Sequence, residues 1–474
     1  MKEIATAASE DERLLGDVAL AELLASKVAA CGGRVYYVGG FVRDRLLNRE
    51  NKDVDVEVHG ISLECLEGLL AELGTLETLG ASFGIYNLHG HKLDICVPRR
   101  ADTEGRGGRD MLRELSDPFV GLRQAALRRD LTINALYQDV LTGEVIDFFG
   151  GRDDLAQGVI RHVSDETFVQ DPLRVLRVAQ FAARLSMRVD PATTELCSRV
   201  NLEGLPSERV EEELRKALLK APRPSAFFAE LRAMGQLDSW FAEVSALIGV
   251  PQNPVYHPEG DVWNHTMRVI DAAAGMRDRA SDAFSYMLAA LCHDFGKPQT
   301  TCERDGRIIS YGHEQVGVDV ARAFLKRVVG STKVQAYVIN MVELHMAPNS
   351  HVAQRARQKS FNHLFDQSCC PRDLLLLAAA DDLGSGNGEL TPGTQERLNE
   401  VLSAYEELMA RPFVQGRDLV EAGMEPGPAL GEVLRYAHKL RLAGLSKEDQ
   451  LRQCLGVYRS LVHEEAKGVE GGGK

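Results

Sequence analysis

The sequence lacks a long apolar run and an apolar leader. Apolar stretches such as Leu374–Ala380 fall far short of the roughly 18 residues that a membrane-spanning helix needs. The first residues, MKEIATAASEDERLLGD, are acidic and contain no apolar signal core. We therefore expect neither a membrane protein nor a secreted one.

Cysteines spaced as in metal-binding motifs or disulfide frameworks are also missing. The nine cysteines are scattered, no two are spaced as CxxC, and the adjacent Cys369 and Cys370 form the only close pair. This usage argues against a disulfide framework and against a zinc ribbon. It indicates reduced thiols, as in a cytoplasmic protein.

The third missing feature is an excess of positive charge, since the formal net charge at pH 7 is −14. Such a charge disfavours a protein that coats nucleic acid without specificity. Local basic surface is still expected, because the segment 171–188 carries four arginines against one acid.

Hydrophobic periodicity separates an α/β region from a long helical region. Up to residue 98 we predict helices that alternate with short strands, namely helices at 12–31, 41–47 and 62–73 and strands at 35–38, 53–58 and 82–98. Residues 99–118 are charged and contain glycine, which predicts a mobile loop. Helices dominate from about residue 120, with predicted helices at 121–128, 165–189, 206–220, 224–235, 394–410 and 428–466.

A length of 474 residues predicts two to four domains. The proline-rich stretch 250–260 and the glycine-containing stretch 385–394 indicate boundaries between helical blocks. We therefore predict four segments, at residues 1–150, 151–250, 251–390 and 391–474.

Two aspartates in the sequence KDVDVEVHG are candidates for a catalytic metal site. Asp53 and Asp55 are two residues apart on a predicted strand, so their side chains project from one face. Mg²⁺ prefers such oxygen ligands, and two ions about 4 Å apart can activate a hydroxyl and stabilise leaving pyrophosphate. Asp94 is the candidate for a third carboxylate, and Glu57 is a weaker alternative.

A glycine turn precedes this strand in the segment VYYVGGFVRDRLL. Gly39 and Gly40 stand at the start of a predicted helix, where backbone N–H groups bind phosphate well. Arg43, one turn into the helix, is expected to reach the same phosphates. The combination GG-x-VRD-x-LL followed by DxD resembles the active-site signature of the DNA polymerase beta-like nucleotidyltransferases.

The segment LRRDLTINAL resembles the RRDFTINA motif of class II tRNA nucleotidyltransferases, which include CCA-adding enzymes and poly(A) polymerases. Leu131 replaces the motif's Phe. The resemblance implies a nucleotide pocket that favours ribose, shaped by Arg128, Arg129, Asp130 and Asn134. Residues 150–163 are similar to the family's hinge segment between head and neck, with Asp154, Leu155 and Arg161 at its matching positions.

The segment DPLRVLRVAQFAARL resembles the family's base-selecting motif. Asp171 and Arg174 are three residues apart on a predicted helix and share a face. The carboxylate can accept from the exocyclic amine of cytosine or adenine, while the guanidinium donates to the ring nitrogen. Uracil and guanine would leave a polar group unpaired, which costs on the order of 1–3 kcal/mol. By resemblance, Arg177 also belongs to the nucleotide site.

Two departures from this motif concern the nucleotide preference. Gln170 stands in place of a Glu, and Gln180 in place of an Arg. The segment 207–219 resembles the last family motif, a neck helix. The resemblance implies that the loop at 99–118 helps to add the final adenosine and that CC-only enzymes carry a deletion there. Since the spacing from Arg100 to Arg128 is not shortened, we predict complete CCA addition to tRNA from CTP and ATP. An A-adding enzyme or a poly(A) polymerase remains an alternative, as do a hydrolase with a vestigial head and a non-catalytic RNA-binding protein.

The second half carries histidines and aspartates in the order H…HD…H…H…D. This order resembles the HD phosphohydrolase superfamily and suits a divalent metal site. The resemblance implies His265, His293, Asp294 and Asp381 as metal ligands. His313 and His345 would contribute to a second metal or to phosphate binding, and Lys297 would hold phosphate. We interpret His257 and His351 as surface residues.

The two resemblances together imply an α+β protein. A small mixed-sheet nucleotidyltransferase head would be followed by an all-α neck, body and HD domain. They imply Mg²⁺ in the head and Ni²⁺, Mn²⁺, Co²⁺ or Mg²⁺ in the HD site. The implied HD activities are 2′,3′-cyclic phosphodiesterase, 2′-nucleotidase and phosphatase. The helical neck and body would hold the tRNA acceptor stem by its shape and phosphates.

Overall fold

The computed structural model describes residues 10–51, 53–76, 85–98, 116–386, 390 and 393–470, with side chains described from residue 13 to 459. The chain divides into two compact units. The first comprises Met1–Glu213 and Ala226–Gln236, and the second comprises Leu214–Ser225 and Leu237–Lys474. Residues 99–115 of the predicted loop lie outside the described residues.

A six-stranded mixed sheet forms the centre of the first unit. The strands are β1 (Arg34–Val38), β2 (Val54–His59), β3 (Ile85–Tyr86), β4 (Leu93–Cys96), β5 (Tyr137–Asp139) and β6 (Val145–Ile146). Their order in the sheet is β3-β4-β2-β1-β5-β6, and the pair β2–β4 is parallel while the other pairs are antiparallel. The valines of VDVEV alternate into the core and are fully buried, as a strand with one apolar face requires.

Three helices accompany the early strands. They are α1 (Glu10–Ala30), α2 (Gly39–Leu46) and α3 (Leu63–Leu73). Helix α1 contacts α3, β1 and β2, and it buries Leu24 and Val28 completely. Helix α3 begins at Leu63 because the Ser62 side chain accepts from the backbone N–H of Cys65 and caps the first turn. The predicted helices, the first two strands and the strand hairpin in this region are confirmed.

The rest of the first unit is helical apart from one short strand pair. Its elements are α4 (Leu122–Leu127), α5 (Gly151–Gln157), β7 (Val159–Ile160), α6 (Asp165–Phe168), α7 (Leu173–Leu185), β8 (Arg188–Val189), α8 (Pro191–Ser198), α9 (Ser207–Lys220, which crosses into the second unit) and α10 (Ser225–Ala233). The prediction of one helix over 165–189 is wrong. Pro172 disfavours a helical conformation at the residue before it, so the chain forms two helices. Ser186, with φ of 57°, ends the second one.

The second unit is almost entirely helical. Its elements are α11 (Leu237–Ser245), α12 (Val262–Ala274), α13 (Ala283–Cys292), α14 (Lys297–Thr300), β9 (Cys302–Arg304), β10 (Arg307–Ile309), α15 (His313–Val328), α16 (Thr332–Leu344), α17 (Ala347–Ala353), α18 (Gln358–Gln367), α19 (Pro371–Gly384), α20 (Thr394–Ala410), α21 (Gly416–Glu421), α22 (Pro428–Leu442) and α23 (Lys447–Glu470). The apolar run Leu374–Ala380 lies inside α19 and is buried. Among the described residues, no helix has the length and apolar character needed to cross a membrane.

Candidate active sites

Three aspartates meet at one end of the head sheet. Asp53 directly precedes β2, and Asp55 lies on β2 opposite Asp94 of the parallel neighbour β4. Burial raises the pKa of Asp55, and the negative charges of Asp94 and Asp53 raise it further, to about 6. A divalent cation would relieve this repulsion, so the carboxylates fit a Mg²⁺ site.

Glu57 follows on the same face of β2 but belongs to a separate cluster of hydrogen-bonded side chains. Its carboxylate is buried and accepts from Arg129 Nη2 at 2.8 Å and from Tyr137 Oη at 3.1 Å, and it lies 2.8 Å from His59 Nε2. Burial alone would raise the pKa of Glu57, but the charge of Arg129 and the contact with His59 hold it below its usual value. The interpretation of Glu57 as an alternative metal carboxylate is therefore wrong.

The Gly39–Gly40 turn lies at the same sheet end as the aspartates. Tyr37 on β1 pairs with Val56 on β2, so the end of β1 lies beside the start of β2. Gly39 has φ of 59°, a conformation that favours glycine. A Cβ atom at Gly39 would lie 3.5 Å from Arg129 Nη1, and one at Gly40 would lie 3.6 Å from Arg43 Nη2. Two guanidinium groups thus border a turn at a helix start, as expected for phosphate binding.

Arg43 is the first member of a buried polar network. Its Nη1 donates to Asn134 Oδ1 at 2.7 Å, and its Nε donates to Asp44. Asn134 Nδ2 donates to Asp130 Oδ1 at 3.1 Å, and Asp130 Oδ2 accepts from Arg177 Nε at 2.7 Å. The structure thus brings these four predicted nucleotide-site residues together. Their mutual bonds connect the start of α2 to helix α7.

Asp171 and Arg174 lie at the start of α7 and bind different groups. Arg174 donates to the backbone carbonyls of Thr167 at 2.7 Å and Arg128 at 2.6 Å. Both carboxylate oxygens of Asp171 accept from Arg209, at 2.9 and 3.2 Å. Sequence reasoning missed Arg209, although it lies in the segment that resembles the neck helix. Arg209 therefore forms a bidentate ion pair with Asp171.

The predicted hinge segment is held by carboxylates. Arg161 Nη1 donates to Asp190 at 2.7 Å, and Arg161 Nε approaches Asp154 at 3.2 Å. Asp154 also accepts from the hydroxyl of Thr132 at 2.7 Å. The segment is therefore bonded to the stretch 128–134, which carries the RRD motif.

The second unit gathers the histidines and aspartates of its motif into one buried cluster. His265 comes from α12, His293 and Asp294 follow α13, and Asp381 lies in α19. His265 Nε2 lies 3.0 Å from Asp381 Oδ1 and 3.5 Å from Asp294 Oδ2. His293 Nε2 lies 3.2 Å from the same oxygen of Asp294. These four residues fit a divalent metal.

The other oxygen of Asp294 faces a second pair of imidazoles. Asp294 Oδ1 lies 3.4 Å from His313 Nε2 and 3.9 Å from His345 Nε2. The two Nε2 atoms are 3.2 Å apart. Asp294, His313 and His345 form a second group with metal-binding geometry. Asp294 can therefore serve two neighbouring metal positions.

Backbone carbonyls orient three of the imidazoles. The Nδ1 atoms lie 2.7 or 2.8 Å from carbonyl oxygens three residues earlier, in the pairs His293–Ala290, His313–Ser310 and His345–Val342. A carbonyl can only accept, so Nδ1 carries a hydrogen in each ring. The Nε2 atoms face the carboxylate of Asp294, which is the orientation in which Nε2 can bind a metal.

Lys297 lies in the same cluster. Its Nζ is 2.7 Å from Asp294 Oδ2 and donates to Gln252 Oε1 at 2.7 Å. Burial would raise the pKa of Asp294, but Lys297 and the imidazoles hold it well below its usual value. Phosphate binding by Lys297 stays a prediction.

Two family models match the chain, one for each candidate site. The Poly A polymerase head domain matches residues 35–161, and the HD domain matches residues 262–384. The Multifunctional CCA protein of Actinobacillus pleuropneumoniae is 37% identical over 366 residues, which cover 74% of this chain and 85% of the relative. That of Halorhodospira halophila is 35% identical over 428 residues, which cover 87% and 97%. The chain belongs to the multifunctional CCA protein family.

Solved structures show the same fold as this family member. A CCA-adding enzyme in complex with ATP superposes with a TM-score of 0.63 at 20% identity, over 95% of this chain and 98% of that one. The Thermotoga maritima CCA-adding enzyme complexed with tRNA gives 0.60 at 20% identity, over the same shares. The predicted α+β class, with a mixed-sheet head and helical remainder, is confirmed.

The HD site of this CCA family member includes two residues that sequence reasoning missed or misplaced. The carboxylate of Glu259 lies 2.8 Å from His257 Nδ1 and 3.0 Å from His265 Nδ1. His257 is largely buried, with its ring 4.9 Å from that of His265, so its interpretation as a surface residue is wrong. His351 is partly exposed, its ring packs on Phe361 at 5.3 Å, and it belongs to none of the groups with metal-binding geometry among the described residues. The missed signal was an acid beside two histidines.

Proposed function

We propose that this CCA family member adds CMP and AMP, taken from CTP and ATP, to the 3′ end of tRNA and releases pyrophosphate. The observation that carries the proposal is the meeting of Asp53, Asp55 and Asp94 with the Gly39–Gly40 turn at one sheet end. The relatives' names and the described CCA-adding enzyme complexes with ATP, CTP and tRNA support it. The described residues fit Mg²⁺ as the cofactor.

The carboxylates would hold Mg²⁺, which lowers the pKa of the tRNA 3′ hydroxyl and neutralises the leaving pyrophosphate. Asp53 and Asp55 are the proposed ligands, and Asp94 is the proposed third carboxylate. The turn's backbone N–H groups and Arg129 bind and orient the triphosphate. The hydroxyl then attacks the α-phosphate in line, and the bond between the α- and β-phosphates breaks.

Base choice is proposed to rest on Asp171 and Arg174. The two backbone carbonyls that bind Arg174 fix its guanidinium, and Arg209 fixes the carboxylate of Asp171. An ionised carboxylate has about four lone-pair positions, so Asp171 can accept an exocyclic amine while it remains paired. The buried network from Arg43 to Arg177 is proposed to keep this helix start in register with the phosphate turn.

A gel assay tests the transferase proposal. The full-length protein is incubated with Mg²⁺ and tRNA that lacks CCA, with CTP, ATP, both or neither. We expect three nucleotides to be added with both, and none by the Asp53→Ala/Asp55→Ala variant. Addition of ATP alone to tRNA ending in CC would indicate an A-adding enzyme, and long A tails a poly(A) polymerase. No extension under any condition would reject transferase activity.

We further propose that the HD cluster hydrolyses phosphate esters, including 2′,3′-cyclic phosphates, 2′-nucleotides and simple monoesters. The Nε2 atoms that converge around Asp294 support this proposal. They suit Ni²⁺, Mn²⁺, Co²⁺ or Mg²⁺, which would lower the pKa of a bound water. Hydrolysis of 2′,3′-cyclic AMP is measured with each metal. We expect Asp294→Ala to abolish hydrolysis and to retain CCA addition.

The domain division also stays a proposal. We propose a head at 1–150, a helical neck at 151–250, an HD domain at 251–390 and a C-terminal helical segment at 391–474. The neck and body would contact tRNA through the shape and phosphates of its acceptor stem. The cytoplasm, which supplies tRNA and nucleoside triphosphates, is the proposed compartment.

A further inference from the structure

Glu259 is a buried acid in the loop before helix α12. Only 1% of its side chain is exposed. Its oxygens lie within hydrogen-bond distance of His265 Nδ1, His257 Nδ1 and the backbone N–H of Gly386. The carboxylate of Glu259 therefore stands behind the histidine cluster as a hydrogen-bond acceptor.

The first oxygen of Glu259 fixes the tautomer of His265. Oε1 lies 3.0 Å from His265 Nδ1, so Nδ1 carries the hydrogen and donates. Nε2 then faces the cluster and lies 3.0 Å from Asp381 Oδ1. His265 thus presents to the cluster the same nitrogen as the other three imidazoles.

His265 receives its acceptor from a side chain, unlike the other three imidazoles. His293 and His345 follow the ends of α13 and α16, His313 begins α15, and each lies within 2.8 Å of a carbonyl three residues earlier. His265 lies inside the first turn of α12, and its Nδ1 faces the Glu259 carboxylate. Among the described residues, Glu259 is the one carboxylate within hydrogen-bond distance of an Nδ1 atom in this set of four, since Glu314 Oε2 lies 3.6 Å from His313 Nδ1.

The second oxygen of Glu259 binds the chain just after Asp381. Oε2 accepts from the backbone N–H of Gly386 at 3.0 Å. Gly386 follows helix α19, which carries Asp381 and ends at Gly384. The carbonyl of Gly386 accepts in turn from Arg268 on α12 at 3.1 Å. One carboxylate therefore connects two metal-ligand candidates from separate helices.

We propose that Glu259 is a positioning residue of the HD metal site, which orients His265 and holds the end of α19 so that Asp381 meets it. The inference rests on the proposed metal-dependent function of this site. Removal of a carboxylate that binds the second ring nitrogen of a metal-ligating histidine typically lowers metal affinity 10- to 100-fold. Glu259 also holds His257 by the same oxygen, so His257 shares this anchor.

Calorimetric titration of the full-length protein with MnCl₂ tests the proposal. Glu259→Ala is expected to weaken Mn²⁺ binding about 10- to 100-fold. Glu259→Gln retains an acceptor without the charge and is expected to weaken it less. Glu303→Ala, an exposed acid on β9, is the matched control and is expected to bind like the wild type. Asp53→Ala/Asp55→Ala is introduced into all proteins to remove binding in the head.

Two further measurements separate positioning from a merely structural role. The thermal midpoint in EDTA is expected to remain near the wild-type value for Glu259→Gln, while the increase caused by Mn²⁺ becomes smaller. The visible spectrum of bound Co²⁺ is expected to change, because the ligand geometry changes. CCA addition by the single variant with an intact head is expected to remain unchanged.

The possible outcomes distinguish the positioning role of Glu259 from the existence of the HD metal site. Unchanged Mn²⁺ affinity in both Glu259 variants would overturn the positioning role. An equal loss of stability with and without metal, at unchanged affinity, would also overturn it. Absence of Mn²⁺ binding by the head-disabled parent would instead reject the proposed HD metal site.

Discussion

Glu57 is expected to act on nucleotide binding through Arg129. Arg129 Nη2 donates to Glu57 at 2.8 Å, while Nη1 lies beside the Gly39 turn. A charge-assisted hydrogen bond from Arg129 to a phosphate contributes about 1.5–3 kcal/mol. Arg129→Ala should therefore raise KM for CTP about 10- to 150-fold.

Removal of Glu57 should have a smaller effect of the same kind. In Glu57→Ala the positive charge of Arg129 remains, but its orientation is lost, so KM should rise on the order of tenfold. The variant should also unfold more readily, by about 2 kcal/mol. Loss of one partner from a buried ion pair costs about 3–5 kcal/mol, and the 26% exposure of the Arg129 side chain reduces that value.

A double-mutant cycle checks the causal link. Steady-state kinetics with CTP and tRNA ending before CCA are measured for Glu57→Ala, Arg129→Ala and the double variant. If Glu57 acts through Arg129, the double variant should have the KM of Arg129→Ala alone. Glu144→Ala, an exposed acid in the same sheet region, serves as the control. Additive effects on KM would refute the reasoning.

Three further predictions concern other parts of the two units. Because the folded-state pKa of Asp55 is raised to about 6, its ionised form destabilises the metal-free head at pH 7 and not below pH 4. The Asp55→Asn variant in EDTA should therefore have a higher thermal midpoint than the wild type at pH 7.5, and equal midpoints would contradict this. Arg209→Ala breaks a partly exposed ion pair with Asp171, so stability should change by less than about 1 kcal/mol, whereas misincorporation of UTP on a gel should increase. Gly296→Ala would place a Cβ 2.0 Å from the carbonyl oxygen of His313, so Mn²⁺ affinity should decrease while CCA addition continues; unaltered affinity would contradict the placement of that histidine.

Most of the head sheet could be predicted because its signals are local. The alternation of VDVEV and the glycine pair after VYYV depend on neighbouring residues alone. The break at Pro172 was also visible locally, but the strong helical pattern on both sides obscured it. Helix ends and strand neighbours were less accessible, because the parallel pairing of Asp55 with Asp94 joins residues 39 positions apart.

The site residues that could be predicted are likewise those whose supporting contacts are local in sequence. His293, His313 and His345 each receive their orientation from a carbonyl three residues earlier, so a local motif contains both the ligand and its support. Glu57, Arg209 and Glu259 could not be assigned in this way. Their partners lie 72, 38 and 6 positions away, and the bond of Glu259 to Gly386 spans 127 positions.

The expected effects of substitutions differ between the two sites, because the groups that support the functional side chains are charged in the head and mostly neutral in the HD site. In the HD site the hydrogen-bond acceptors of the imidazoles are neutral carbonyls except at His265, so the loss of Glu259 should alter His265 and Asp381 and leave the other imidazoles oriented. In the head, charged groups support one another from Arg43 through Asp130 to Arg177. A single substitution there leaves a buried charge without its partner, which costs far more than the loss of a neutral bond. Substitutions in the head network should therefore impair folding and activity together, whereas those behind the HD histidines should separate metal affinity from stability.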